Sequence, residues 1–137
     1  MKIDKIININ TEFDFEASEI EISMRSGFSK KEIGSINLMN LLAPMSNSTY
    51  LVRVSGESMI DAGIDNGDLL VVERVSEPRN GQIVIASLNG EMAVKTLNID
   101  GENISLISAN KYFQPIKIEP YIEFIIQGVV KHVIKSL

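Results

Sequence analysis

Six segments with the composition of β-strands follow one another after residue 48, and this succession leaves few fold classes open. They share a high content of Val, Ile, Leu and aromatic residues, and they cover 50–54, 69–73, 82–88, 92–97, 103–107 and 123–134. Turn sequences separate several of them, with Gly after Asn or Asp at Gly81, Gly90 and Gly101. Glycine adopts the positive φ that tight hairpins need. The pattern predicts a mainly β fold, a compact antiparallel, barrel-like body over residues 48–137.

The residues ahead of that body differ from it in charge and in patterning. Residues 1–26 carry three basic and six acidic side chains, whereas residues 27–137 carry ten and twelve. Phe13 and Phe15 alternate with acidic residues, a pattern that suits short extended segments with one apolar face. A partly disordered terminus is the alternative. We therefore expect an extended N-terminal arm and linker over residues 1–47.

The composition of the chain excludes several classes of function. Thirteen Lys and Arg against eighteen Asp and Glu give a net charge of −5, so no broad basic face is available and direct nucleic-acid binding is not expected. The absence of cysteine excludes disulfides, thiolate metal sites and cysteine nucleophiles. The apolar runs are far shorter than the roughly 18 residues of a membrane span, and no signal-peptide pattern opens the chain. We expect a cytoplasmic protein without membrane contact.

Ser58 is the candidate nucleophile. A predicted strand ends at Val54, Gly56 permits a sharp turn, and Ser58 then stands at the start of a short helical turn. The backbone N–H groups of Ser58 and Glu57 would point at one place, as an oxyanion hole requires. The alternative is structural, with Ser58 capping the turn at 59–62.

A serine nucleophile needs a base, and the chain offers two candidates. His132, the only histidine, lies in the last predicted strand and is also explained as a packed strand residue. Lys95 shares one strand face with Ala93 and Leu97 because side chains alternate along a strand. Burial on that apolar face would lower the pKa of its amine and let it accept a proton. The alternative is an edge-strand lysine that reaches solvent.

Four ordered blocks make a family resemblance specific. They are Ser-Gly-Glu-Ser-Met at 55–59, Gly-Asp-Leu-Leu-Val-Val at 67–72, Gly-Gln-Ile-Val-Ile-Ala at 81–86 and Glu-Met-Ala-Val-Lys at 91–95. Together they resemble the LexA-like self-cleaving serine peptidases, over residues 20–137. The resemblance implies that Ser58 is the nucleophile and Lys95 the general base, 37 residues apart as is typical of the UmuD type of this family. It implies the LexA/UmuD catalytic body over 48–137 and no cofactor or metal.

The resemblance also implies a scissile bond within the chain, before a glycine upstream of the body. The matching sequence is Met-Arg-Ser-Gly-Phe at 24–28, which places cleavage between Ser26 and Gly27. Family members usually have Ala-Gly or Cys-Gly at this point, and Ser is small enough for the same pocket. The 31 residues between Gly27 and Ser58 allow the arm to fold back at a modest entropic cost.

The short acidic arm resembles the UmuD type more than LexA or phage repressors, which carry a helix-turn-helix domain, or signal peptidases, which carry a membrane anchor. That type implies a homodimer, stimulation of cleavage by RecA on single-stranded DNA, and a processed form that serves as a subunit of a UmuC-like translesion DNA polymerase in the SOS response. The alternative is a non-catalytic dimeric module that docks on polymerase or RecA. DNA would be reached through partners in both cases.

Overall fold

The computed structural model describes residues 1–8, 48–75 and 77–137. Residues 9–47 of the predicted arm, with its alternating apolar residues and the Ser26–Gly27 bond, lie outside the described residues, whereas residues 2–8 form a strand of the sheet. Within the described ranges, no helix has the length and apolar character to cross a membrane.

The described chain is almost entirely β-strand, so the mainly β prediction is confirmed. Its only helix is a single 3₁₀ turn, Ile60–Ala62, within the described ranges. The strands are β1 (Lys2–Asn8), β2 (Thr49–Ser55), β3 (Leu69–Glu73), β4 (Ile83–Leu88), β5 (Glu91–Asp100), β6 (Asn103–Ile107), β7 (Ile116–Lys117) and β8 (Phe124–Ile134).

All strands join one antiparallel sheet that curls into a ring. The order is β1-β2-β3-β8-β4-β5-β6-β7, and a further pairing of β1 with β5 closes the ring. That closing contact is short, since it consists of Lys2 opposite Ala93. Strand β1 therefore completes the barrel, and it does so next to the end of β2.

The six predicted strands are all present, because alternating or continuous apolar runs and turn residues are local signals. The Asn-Gly hairpin between β4 and β5 is formed with positive φ at Asn89 (50°) and Gly90 (87°). Strands β1 and β7 were not predicted. Strand β1 has only three apolar side chains among charged and amide residues, and the partners that make it a strand come from β2, more than forty residues later in the chain.

Two apolar clusters fill the body, and strand β4 contributes to both through alternate residues. Ile85 packs with Val52 and Leu70 in the first cluster, whereas Val84 and Ala86 pack in the second. Alternation along the strand sends neighbouring side chains to opposite faces of the sheet. The first cluster also includes the side chains of Met1 and Met59, which brings the N-terminal strand and the turn after β2 together.

Candidate active site

Ser58 lies in the turn that follows β2. Gly56, two residues before Ser58, has φ of 100°, which a residue with a side chain adopts only at a cost. Met59 is completely buried, and burying such a side chain stabilises the fold by about 1.5–3 kcal/mol. The buried Met59 side chain therefore anchors the turn in the first apolar cluster. The residue before the 3₁₀ helix is Met59 and no side chain caps that helix, so Ser58 does not have the capping role given as its alternative.

A second segment, after β6, braces the same turn. The side-chain amide of Asn110 donates a hydrogen bond of 2.9 Å to the backbone oxygen of Glu57, and the amide of Asp61 donates one of 2.8 Å to the oxygen of Ala109. Asn110 is 7% exposed. Asn110 was not predicted, although the polar Ser-Ala-Asn sequence directly after β6 is the local signal that marks it.

Lys95 is buried in the middle of the sheet. Strand β5 lies between β4 and β6, so the alternative of an edge-strand lysine in solvent is wrong, and the residue is 7% exposed. Its Nζ donates a hydrogen bond of 2.6 Å to Ser108 Oγ and lies 5.4 Å from the centre of the Phe113 ring. Burial lowers the pKa of the Lys95 amine, because the charged form is poorly solvated there.

The α-amino group of Met1 lies beside both predicted residues. It donates a hydrogen bond to Ser58 Oγ, and the Met1 carbonyl oxygen accepts one of 3.0 Å from the Val94 amide. The pKa of the Met1 amine is lowered to about 6, first by burial and then by the charge and hydrogen bonding of Lys95. The Met1 amine thus donates a hydrogen bond to Ser58 Oγ and interacts electrostatically with the Lys95 amine.

The family follows from a match to the Peptidase S24-like family model, which covers residues 18–131. The chain belongs to the Peptidase S24-like family. Similar S24-like proteins are the LexA repressor of Bordetella avium, 46% identical over 87 residues (64% of this chain and 41% of that one), and that of Dechloromonas aromatica, 42% identical over 98 residues (71% and 48%). The chain spans less than half the length of these curated relatives. The predicted LexA-like membership is confirmed, and the relatives point to LexA rather than to the UmuD type.

The other charged candidates of this S24-like chain have different surroundings. His132 is half-buried on β8 opposite Val71 of β3, a placement within the β3–β8 ladder. Lys131 and Lys135 are exposed and form surface ion pairs. Lys131 Nζ lies 3.9 Å from Glu73, and Lys135 Nζ lies 2.7 Å from Asp65 and also contacts Asp68.

The chemistry that the S24-like site can support is acyl transfer. Among the described residues, no group of three or more His, Asp or Glu side chains could hold a metal ion. What the site contains is a buried hydroxyl, a buried amine of lowered pKa, and a glycine-dependent turn with backbone N–H groups. A hydroxyl beside a neutral amine is an activated nucleophile.

Proposed function

We propose that the chain is an autoproteolytic serine peptidase in which Ser58 is the nucleophile and Lys95 the general base. The observation that carries this proposal is the convergence of Ser58 and Lys95 on the Met1 amine, at a place where both side chains are at most 7% exposed. A binding module has no need of a buried amine beside a buried hydroxyl, since burying a cation costs stability.

The reaction proceeds in two acyl-transfer steps. Neutral Lys95 takes the proton of Ser58 Oγ as that oxygen attacks the carbonyl carbon of the scissile bond. The N–H groups of Ser58 and Glu57 stabilise the resulting oxyanion. The C–N bond then breaks, and the Lys95 ammonium gives its proton to the departing amine. Lys95 then deprotonates a water that attacks the ester carbon, and as the ester C–O bond breaks the Lys95 ammonium returns this proton to Ser58 Oγ.

The proposed substrate is the chain's own Ser26–Gly27 bond. A small residue before the bond and a glycine after it allow a close approach to Ser58. The 31 residues that separate Gly27 from Ser58 suffice for an arm to reach the site within one subunit or across a dimer. Holding the bond at the nucleophile raises its effective concentration by orders of magnitude.

The biological role that we propose is that of the UmuD type. The protein acts in the cytoplasm as a homodimer, RecA on single-stranded DNA stimulates its cleavage, and the processed form becomes a subunit of a UmuC-like translesion polymerase. Support comes from the spacing of Ser58 and Lys95 and from the net charge of −5, which suits protein partners better than DNA. The competing proposal is a non-catalytic module that docks on the same partners.

Intact mass spectrometry of the purified protein tests this function. We expect slow conversion at alkaline pH, and faster conversion at neutral pH with RecA, nucleotide and single-stranded DNA, into two fragments that end at Ser26 and begin at Gly27. Retention of the full mass under both conditions contradicts self-cleavage. Retention of the full mass together with binding to RecA filaments supports the docking module instead.

Ser108 acts as a positioning residue for Lys95, and its replacement is expected to slow cleavage. The variant Ser108→Ala removes the 2.6 Å partner of Nζ and leaves the amine free to turn away, so we expect a rate about 10–100-fold lower. Ser108→Thr keeps the hydroxyl and should restore most of the rate. Ser105→Ala, which removes a hydroxyl of β6 that bonds to Asn98 instead of Lys95, is the control. A Ser108→Ala rate equal to wild type shows that Lys95 needs no such partner.

A further inference from the structure

Strand β1 covers the candidate nucleophile. Ser58 is 1% exposed, and its Oγ accepts a hydrogen bond from the Met1 α-amine. The Met1 side chain is itself 7% exposed within the first apolar cluster. A peptide carbonyl cannot reach Ser58 Oγ while Met1 and the start of β1 remain in this position, because two backbones cannot occupy the same space.

Strand β1 runs in the same chain direction as the peptide segment that leaves Ser58 in an acyl-transfer reaction. An α-amine lies on Ser58 Oγ, and the backbone then runs antiparallel to β2, from Lys2 opposite Ser55 to Asn8 opposite Tyr50. When a peptide bond is cut at Ser58, the departing group is also an α-amine that begins an extended segment. Strand β1 therefore lies where the residues after a scissile bond would lie.

The attachment of β1 is one-sided. It pairs with β2 along its length, whereas its contact with β5 is limited to Lys2 opposite Ala93 and the bond between the Met1 oxygen and the Val94 amide. Beyond that contact, the two strands leave a groove of about 510 Å³ lined by residues 2–6, Glu91 and Met92. A strand held along one edge leaves a sheet more easily than one held along both.

We propose that the edge of β2 together with the Val94 amide forms the binding site for the extended segment that follows the scissile bond, and that β1 occupies this site as an internal competitor. Cleavage then requires β1 to leave. This inference rests on the proposed function and adds a restraint to it. The observed cleavage rate is proportional to the fraction of molecules in which β1 has been displaced from the site. Main-chain hydrogen bonds to a strand edge are a general means of binding extended peptides.

A reversible disulfide between β1 and β2 tests the proposal. Lys5 and Arg53 are exposed and directly opposite each other, and such partners have Cα atoms about 5 Å apart, within disulfide range. The chain has no cysteine, so Lys5→Cys with Arg53→Cys creates a single pair. Asn98→Cys with Ser105→Cys, a cross-strand pair of β5 and β6, is the matched control.

We expect the oxidised β1–β2 pair to self-cleave at least about tenfold more slowly than its reduced form, and the control pair to cleave equally in both forms. Equal or faster cleavage of the oxidised β1–β2 pair overturns the competitor role while the proposed peptidase function stands. If neither form cleaves, hydrogen exchange at the Val94 amide decides about β1, and the proposed function fails only if the protein without the cysteine pair also stays intact. Faster exchange in the reduced form supports the displacement of β1, and equal exchange overturns it.

A variant that weakens the docking of β1 is expected to raise the cleavage rate, whereas the disulfide lowers it. Ile3 packs against the first apolar cluster, so Ile3→Lys should weaken the docking of β1 and raise the cleavage rate several-fold. Ile6, on the same strand, is 47% exposed, and Ile6→Lys is expected to leave the rate unchanged. A gain in rate cannot result from unfolding of the catalytic body. A fall in rate for Ile3→Lys means that β1 supports catalysis, which overturns the inference.

Discussion

Ser58→Ala and Lys95→Met are each expected to abolish self-cleavage, with the rate falling by at least ~10³-fold. Alanine at position 58 removes the attacking oxygen. Methionine at position 95 keeps the length and much of the apolar contact of the lysine stem, but it has no amine to accept the proton. Because the two groups act as one unit, the double variant should be no slower than either single variant. Intact mass against time at alkaline pH measures all three.

Matched controls separate chemistry from folding in this experiment. Ser87→Ala removes another buried serine hydroxyl outside the site, and Lys131→Met removes a surface lysine whose ion pair with Glu73 is 3.9 Å long. Both are expected to cleave at the wild-type rate. Ser87 lies outside the site, and the exposed ion pair of Lys131 contributes little to stability. All variants should show the wild-type circular dichroism spectrum. Cleavage by a folded Lys95→Met variant removes Lys95 from the mechanism.

The rate of self-cleavage is expected to rise with pH. The proposed reaction needs the neutral amine of Lys95, and burial lowers the pKa of that amine. Below that pKa, each unit of pH increases the neutral fraction about tenfold, and above it the rate levels off. Among the residues that the structure describes, the polar groups that interact with Nζ are Ser108 Oγ and the Met1 amine. The pKa of the Met1 amine is about 6, so that amine is already mostly neutral above pH 7, and the rise measured there reports on Lys95.

Two variants check the source of the pH dependence. Lys95→Arg keeps a positive charge that does not titrate in proteins, so we expect no cleavage at any pH. His132→Gln should leave the whole profile unchanged, because His132 pairs with β3 in the sheet. A profile that becomes flat in His132→Gln would identify histidine as the base.

The stability of the folded protein is expected to change with pH in the same direction. The pKa of Lys95 is lower in the folded state than in the unfolded state, so protonating Lys95 disfavours the folded state. Its contribution to stability therefore improves as pH rises through its lowered pKa.

Much of the catalytic body was predictable because its signals are local. Apolar runs separated by Asn-Gly and Asp-Gly turns define strands without reference to distant residues, and the bounds of β3 (Leu69–Glu73) and β6 (Asn103–Ile107) agree fully with prediction. Alternation placed Lys95 on the face of Ala93 and Leu97, and the family resemblance singled it out as the base, but the sequence left open whether its strand lies at an edge of the sheet. The prediction failed for β1, whose residues 2–8 do not show strand character by themselves.

The partners of the two candidate residues were decided by the tertiary structure. Ser108 lies 13 residues from Lys95 and meets it because β5 and β6 form a hairpin whose register sets that contact. Asn110 reaches Glu57 across 53 residues. Such contacts depend on how strands from different parts of the chain align, and composition carries no information on that alignment.

By itself, the sequence determined a β-rich body, an acidic segment over residues 1–26, and a serine and a lysine that lie 37 residues apart, Ser58 and Lys95. Only the tertiary structure decided that Lys95 is an inner-strand residue with a hydroxyl partner, and that the start of the chain covers Ser58. The physical reason is that strand character is set by neighbouring residues, whereas burial, pKa and the occupancy of a strand edge are set by which distant strands pair. The same pairing that closes the barrel through β1 also keeps the candidate nucleophile out of solvent.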